Sequence, residues 1–108
     1  VFISVNKATL TDCTPEEYER FYQEACDYMA KQPGHIRQRL VRSDSEPGVY
    51  FAISEWESVE AYRRLATIDE LVEIFGQVIS LTEPRDPSKD KIVVEHHDCS
   101  MVLDRERV

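Results

Sequence analysis

At 108 residues the chain is long enough for one core and too short for two, and its 42% hydrophobic and 31% charged content is that of a soluble globular domain. A formal net charge of -8, with Lys and Arg scattered along the chain, repels phosphate backbones and argues against a nucleic-acid partner. No apolar run approaches the roughly 20 residues that cross a bilayer, and no signal-peptide pattern is present, so a cytoplasmic protein without a membrane partner is expected.

The first segment, Val1 to Leu10, alternates with Phe2, Ser4 and Asn6 on one side and Ile3, Val5 and Lys7 on the other, which predicts a strand. Thr14-Pro15-Glu16-Glu17 then opens a helix, with Thr14 as cap, Pro15 in the first helical position and Glu17 closing a capping box. Tyr18, Phe21, Tyr22, Ala25 and Met29 recur at helical spacing as one apolar stripe, and Pro33-Gly34 stops the helix near Lys31. His35 to Arg42 alternates again, with Ile36 and Leu40 on one face and Val41 on the other.

The stretch Asp44-Ser45-Glu46-Pro47-Gly48 is a turn by composition, and its shortness implies a hairpin into the next strand, Val49 to Trp56. That strand is nearly continuous in apolar and aromatic residues, so it belongs at the centre of a sheet with both faces covered. Ser58 caps a short helix reaching about Ala66. Thr67 and Glu70 form a second capping box that restarts the helix, with Leu71, Val72, Phe75, Val78 and Ile79 as its apolar face. Thr82 to Asp90, which holds Pro84 and Pro87, reads as a loop. In the last strand, Lys91 to Ser100, Ile92, Val94, His96 and Asp98 lie on one face and Val93, Glu95, His97 and Cys99 on the other.

This order is βαββαβ, the α+β ferredoxin-like arrangement: a four-stranded antiparallel sheet with helices on one face. Residues 1–100 form the domain and 101–108 a C-terminal tail that is polar over Asp104-Arg105-Glu106-Arg107. With both sheet faces apolar, the simplest cover for the outer one is a second subunit, so a homodimer is expected. Cys13, Cys26 and Cys99 are odd in number and show no C-x-x-C spacing, which argues against a disulfide framework and a zinc site. His96 and His97 are adjacent on one strand and point apart, so they cannot chelate one ion together and no metal is expected.

Gln32-Pro33-Gly34-His35, a hairpin, and then Ser54-Glu55-Trp56-Glu57-Ser58-Val59-Glu60-Ala61-Tyr62 resemble the antibiotic biosynthesis monooxygenase superfamily. The resemblance runs from Val1 to about Cys99 and implies the dimeric α+β barrel. It admits several activities, among them cofactor-free quinone-forming monooxygenases and heme-degrading enzymes. Asn6, in the run Asn6-Lys7-Ala8-Thr9-Leu10-Thr11, matches the strand-one Asn of the heme-degrading members. Their pattern also asks for a Trp where Leu65 stands and an axial His where Ile74 or Phe75 stands, so heme degradation is disfavoured. The quinone-forming pattern of a Trp and a Tyr six apart is met by Trp56 and Tyr62, although Ala52 occupies the position of its Asn.

The resemblance therefore implies a monooxygenase that oxidises an electron-rich polycyclic aromatic or similar small molecule. It would use molecular oxygen as co-substrate and no cofactor, with Asn6, Trp56 and Tyr62 as catalytic residues. Phe21, Tyr22 and Phe75 would wall the substrate cavity. At most one of His96 and His97 can face that cavity, and His97 is assigned to it. Each of these side chains also has an ordinary duty, Trp56 as anchor of the strand–helix junction above all. A non-redox cyclase or isomerase, and a small-molecule-binding module without turnover, are the competing expectations.

Overall fold

The computed structural model describes residues 1–79 and 86–107. Its elements are β1 (Phe2–Leu10), α1 (Pro15–Met29), β2 (His35–Arg42), β3 (Val49–Trp56), α2 (Val59–Arg63), α3 (Asp69–Phe75) and β4 (Ile92–Ser100). The strands form one antiparallel sheet in the order β2-β3-β1-β4. This is the ferredoxin-like α+β fold, with the short second helix interrupted by a 3₁₀ turn at Arg64–Thr67. Residues 101–107 carry no regular structure, and the expected loop around Pro84 lies outside the described residues, as does Val108. Among the described residues no helix is long and apolar enough to cross a membrane.

Of the first capping box the Thr14 half forms, while the Glu17 carboxylate meets the Thr14 hydroxyl in place of its backbone N–H. The Thr14 hydroxyl accepts from the Glu17 N–H at 3.2 Å and donates to the Glu17 carboxylate at 3.1 Å. Downstream, α1 buries Tyr18, Phe21, Tyr22, Ala25 and Met29 against the sheet, the predicted stripe. Tyr18 packs at 5.0 Å and a tilt of 48° against Tyr50 of β3, and the Tyr50 hydroxyl donates to Glu19 at 2.5 Å, tying helix to sheet at both ring and tip. Central β3 buries Val49, Tyr50, Ala52, Ser54 and Trp56, while Phe51, Ile53 and Glu55 on the outer face are only half-buried.

Two expectations need correction. No box forms between Thr67 and Glu70. The Thr67 hydroxyl donates instead to the Arg64 carbonyl at 2.6 Å, and Ile68 stands at the cap of α3 without a side-chain bond. The 3₁₀ turn uses up the cap residue one position early. Nor do Ile36 and Leu40 share a face. A bulge between His35 and Arg37 leaves Ile36 unpaired and exposed and turns Gln38 and Leu40 inward.

Pro33-Gly34 and the α2 segment are one physical unit. Gly34 has φ +86°, and a Cβ placed on it would lie 2.7 Å from the Ala61 Cβ, while its carbonyl accepts from the Glu57 N–H at 2.8 Å. Only a glycine lets the start of β2 lie this close to α2. Gly34→Ala should therefore destabilise the fold by roughly 2–4 kcal/mol, the sum of left-handed strain and a clash with little room to relax. The midpoint of urea denaturation measures it, and an unshifted midpoint would remove Gly34 from this role.

Candidate functional site

Between the inner face of the sheet and the helices lies a cavity of about 620 Å³, within the range of sites that hold drug-sized ligands. Strand alternation supplies its floor: Ser4, Asn6 and Ala8 from β1, Ala52 and Ser54 from β3, and Gln38 from β2. The helical side is largely apolar and aromatic, with Phe21, Tyr22 and Met29 from α1 facing Val72 and Phe75 from α3. Phe21 and Phe75 meet edge to face at 5.6 Å and 80°. Tyr62 of α2 completes the lining beside Arg63 and Leu65.

At one edge of this cavity three polar side chains form a chain across two strands. Asn6 and His96 are direct partners in the β1–β4 ladder, and Asn6 Oδ1 lies 2.5 Å from His96 Nδ1. The second ring nitrogen, Nε2, lies 2.6 Å from Asp98 Oδ1, two residues along the same face of β4. The imidazole is parallel to the Tyr62 ring within 3°, at a centroid distance of 5.9 Å. With the Asn6 oxygen turned to the ring, both ring nitrogens donate. With the amide turned over, its NH₂ donates to Nδ1, so the imidazole proton and the orientation of Asn6 are linked.

The structure brings together five of the residues singled out in the sequence: Asn6, Tyr62, Phe21, Tyr22 and Phe75 all line the cavity. Trp56 does not line it. Its side chain is 0% exposed, its indole N–H donates to Ser54 Oγ at 2.9 Å, and its ring packs edge-on against His35 and Tyr62. Trp56 thus stands behind Tyr62 rather than beside a ligand. His97 is on the wrong side of the sheet: it pairs with Val5, on the face away from the helices, and its side chain is 61% exposed. His96 is the histidine on the inner face of β4, where it pairs with Asn6 at the cavity edge without lining the cavity itself. The signal was present, since His96 shares its face with both Ile92 and Val94 whereas His97 shares its face with Val93 alone.

Ser4, Ser54 and Gln38 also escaped the sequence reading, although alternation puts Gln38 on the face of Leu40. Gln38 Nε2 donates to the Tyr22 hydroxyl, which fixes that ring against the floor. Among the described residues no three His, Cys, Asp or Glu side chains converge where an ion could sit.

Burial pushes the phenols of both Tyr18 and Tyr22 well above the ordinary tyrosine range. The unfolded chain ionises these groups near pH 10, before the folded one does. The stability gained by keeping them neutral is therefore complete below about pH 10 and is lost progressively above it. A phenolate titration by ultraviolet absorbance at about pH 11 should show at least two fewer ionised tyrosines in the native protein than in urea. Equal counts would mean that water reaches both rings.

Residues 2–67 match the family described as antibiotic biosynthesis monooxygenase, more than half of the chain. A stretch of 50 residues is 32% identical to deoxynogalonate monooxygenase of Streptomyces nogalater, covering 46% of this chain and 42% of that enzyme. Among solved structures, a variant of SnoaB, a cofactor-independent oxygenase from Streptomyces nogalater, superposes with a TM-score of 0.79 at 21% identity, over 95% of this chain and 94% of that one. A variant of MhuD crystallised with two manganese protoporphyrin IX molecules per active site gives a TM-score of 0.71 at 18% identity, over 99% and 100%. The structural likenesses establish the fold, and the sequence match carries the assignment: the chain belongs to the antibiotic biosynthesis monooxygenase family.

Proposed function

We propose that the protein is a cofactor-independent monooxygenase that oxidises an electron-rich polycyclic aromatic with molecular oxygen as co-substrate. The observation that carries this reading is the aromatic-walled cavity with the Asn6–His96–Asp98 chain at its edge, against Tyr62. Such a substrate is its own reductant. A CH₂ set across the ring from a carbonyl, as in anthrone, loses a proton to give a conjugated carbanion, which passes an electron to dioxygen, and the radicals combine to a hydroperoxide. Loss of water leaves a ketone, so CH₂ and O₂ become C=O and H₂O. The chain must hold the ring, take the proton and stabilise the oxygen on which charge develops.

Phe21, Tyr22 and Phe75 serve the first task. His96, neutral and with its Nε2–H bonded to the Asp98 carboxylate, takes the proton at Nδ1 once the Asn6 amide swings from that nitrogen to the substrate, and Asn6 and Tyr62 then hydrogen-bond the oxygen. Trp56 acts as a positioning residue through Tyr62. Heme degradation fits this lining less well: Phe75 faces the cavity and Ile74 is buried in the core where that pattern places an axial imidazole on α3.

The outer face of the sheet supports a homodimer. Ile3, Val5, Phe51 and Ile53 are half-buried there, Val41 and Val93 are exposed, and the same face carries both signs of charge in Lys7, Arg39, Glu55 and Glu95. A two-fold axis can pair such a surface with itself. Sedimentation at working concentration should find a dimer, and a stable monomer would refute that part.

An oxygen electrode with anthrone as substrate tests the activity. One O₂ should be consumed per anthrone, and turnover should stop without air. Turnover that persists anaerobically points to a cyclase or isomerase, and binding with no uptake points to a module without turnover. Either outcome refutes the oxygenase.

A further inference from the structure

On the inner face of the sheet, one row of side chains crosses all four strands. Gln38 of β2 stands opposite Ser54 of β3, Ser54 opposite Ser4 of β1, and Ser4 opposite Asp98 of β4. Three of the four have partners: Gln38 donates to Tyr22, Ser54 accepts from the Trp56 indole, and Asp98 meets His96. Ser4 has none. It is 1% exposed, its Oγ lacks any hydrogen-bond partner among the described residues, and it lines the cavity floor.

A buried hydroxyl without a partner carries a desolvation penalty that alanine in the same place would avoid. Packing does not require it, since the neighbouring floor residues Ala8 and Ala52 are alanines. We propose that Ser4 is a substrate-positioning residue, its hydroxyl held for a ring oxygen of the bound aromatic. A hydroxyl serves a carbonyl as donor and a phenol as acceptor, so the oxygen can be of either kind. Asn6 lies two residues along the same face of β1, roughly 7 Å away. Two polar groups at that spacing select a ring carrying two separated oxygens over one carrying a single oxygen. The inference rests on the cavity being a small-molecule site and does not depend on oxygenation.

The test is a binding comparison with two soluble probes of one shape, anthraquinone-2-sulfonate and anthracene-2-sulfonate, which differ in ring oxygens. The wild-type protein should prefer the quinone. Ser4→Ala should weaken the quinone by about threefold to tenfold, leave the hydrocarbon unchanged, and keep or raise Tm. Ser4→Cys, similar in size but a poor hydrogen-bonding group, should discriminate as poorly as the alanine variant. The proposal is overturned if the preference survives in Ser4→Ala, if both probes weaken together, if Tm falls, or if neither probe binds the wild type. A wild-type preference for the quinone that Ser4→Ala abolishes, with no oxygen uptake from anthrone, would sink the oxygenase and leave the role of Ser4 standing.

Discussion

Asn6→Ala is expected to lower kcat of the proposed oxygenation by about 100- to 1000-fold while leaving the fold intact, the loss seen when a preorganised hydrogen-bond donor is removed from developing negative charge. The effect has two sources. The amide that faces the cavity disappears, and His96 loses the partner that holds its Nδ1. The damage should therefore be shared with His96→Phe. The double variant should be little worse than either single one, because residues that act as a unit do not lose activity additively. A full multiplication of the two effects would show that Asn6 and His96 work separately, and near-wild-type turnover in Asn6→Ala would remove both from the chemistry.

Trp56→Ala should be the most damaging single change to stability. Its side chain is fully buried between His35 and Tyr62, and truncating such a ring costs about 3–5 kcal/mol, a large part of the total stability of a domain this size. The Ser54 hydroxyl would also lose its donor. Trp56→Phe keeps most of the volume and should cost less than half as much, while holding Tyr62 well enough to retain activity. Urea denaturation followed by circular dichroism, with oxygen uptake beside it, separates the two duties. If Trp56→Phe folds as well as wild type yet is inactive, the indole takes part in the chemistry and its placement behind Tyr62 is not the whole account.

The elements that could be read from the chain are those whose physics is local. Period-two alternation gave the four strands, and the Thr14-Pro15-Glu16-Glu17 cap gave the start of α1. The apolar stripe gave the face of α1 that both fills the core and lines the cavity. What escaped depends on contacts distant in sequence. The β2 bulge turns Ile36 out of the face it would share with Leu40 because His35 pairs with Trp56 and Arg37 with Glu55, and the 3₁₀ turn overrides a capping box that looked as good as the first. His96 and His97 differ by a single step of alternation, and that step decides between the inner face beside Asn6 and the outer face of the sheet. Ser4 is silent in sequence, since its significance is a missing partner.

The chain holds one tryptophan, and its sealed position makes it a natural optical gauge. Light absorbed there reports on a ring shielded from solvent and touching Tyr62, the side chain that a ligand would meet on the other side. A guest entering the cavity and a chain coming apart would each alter that glow in its own way, so occupancy and unfolding can be followed in one cuvette without attaching a dye.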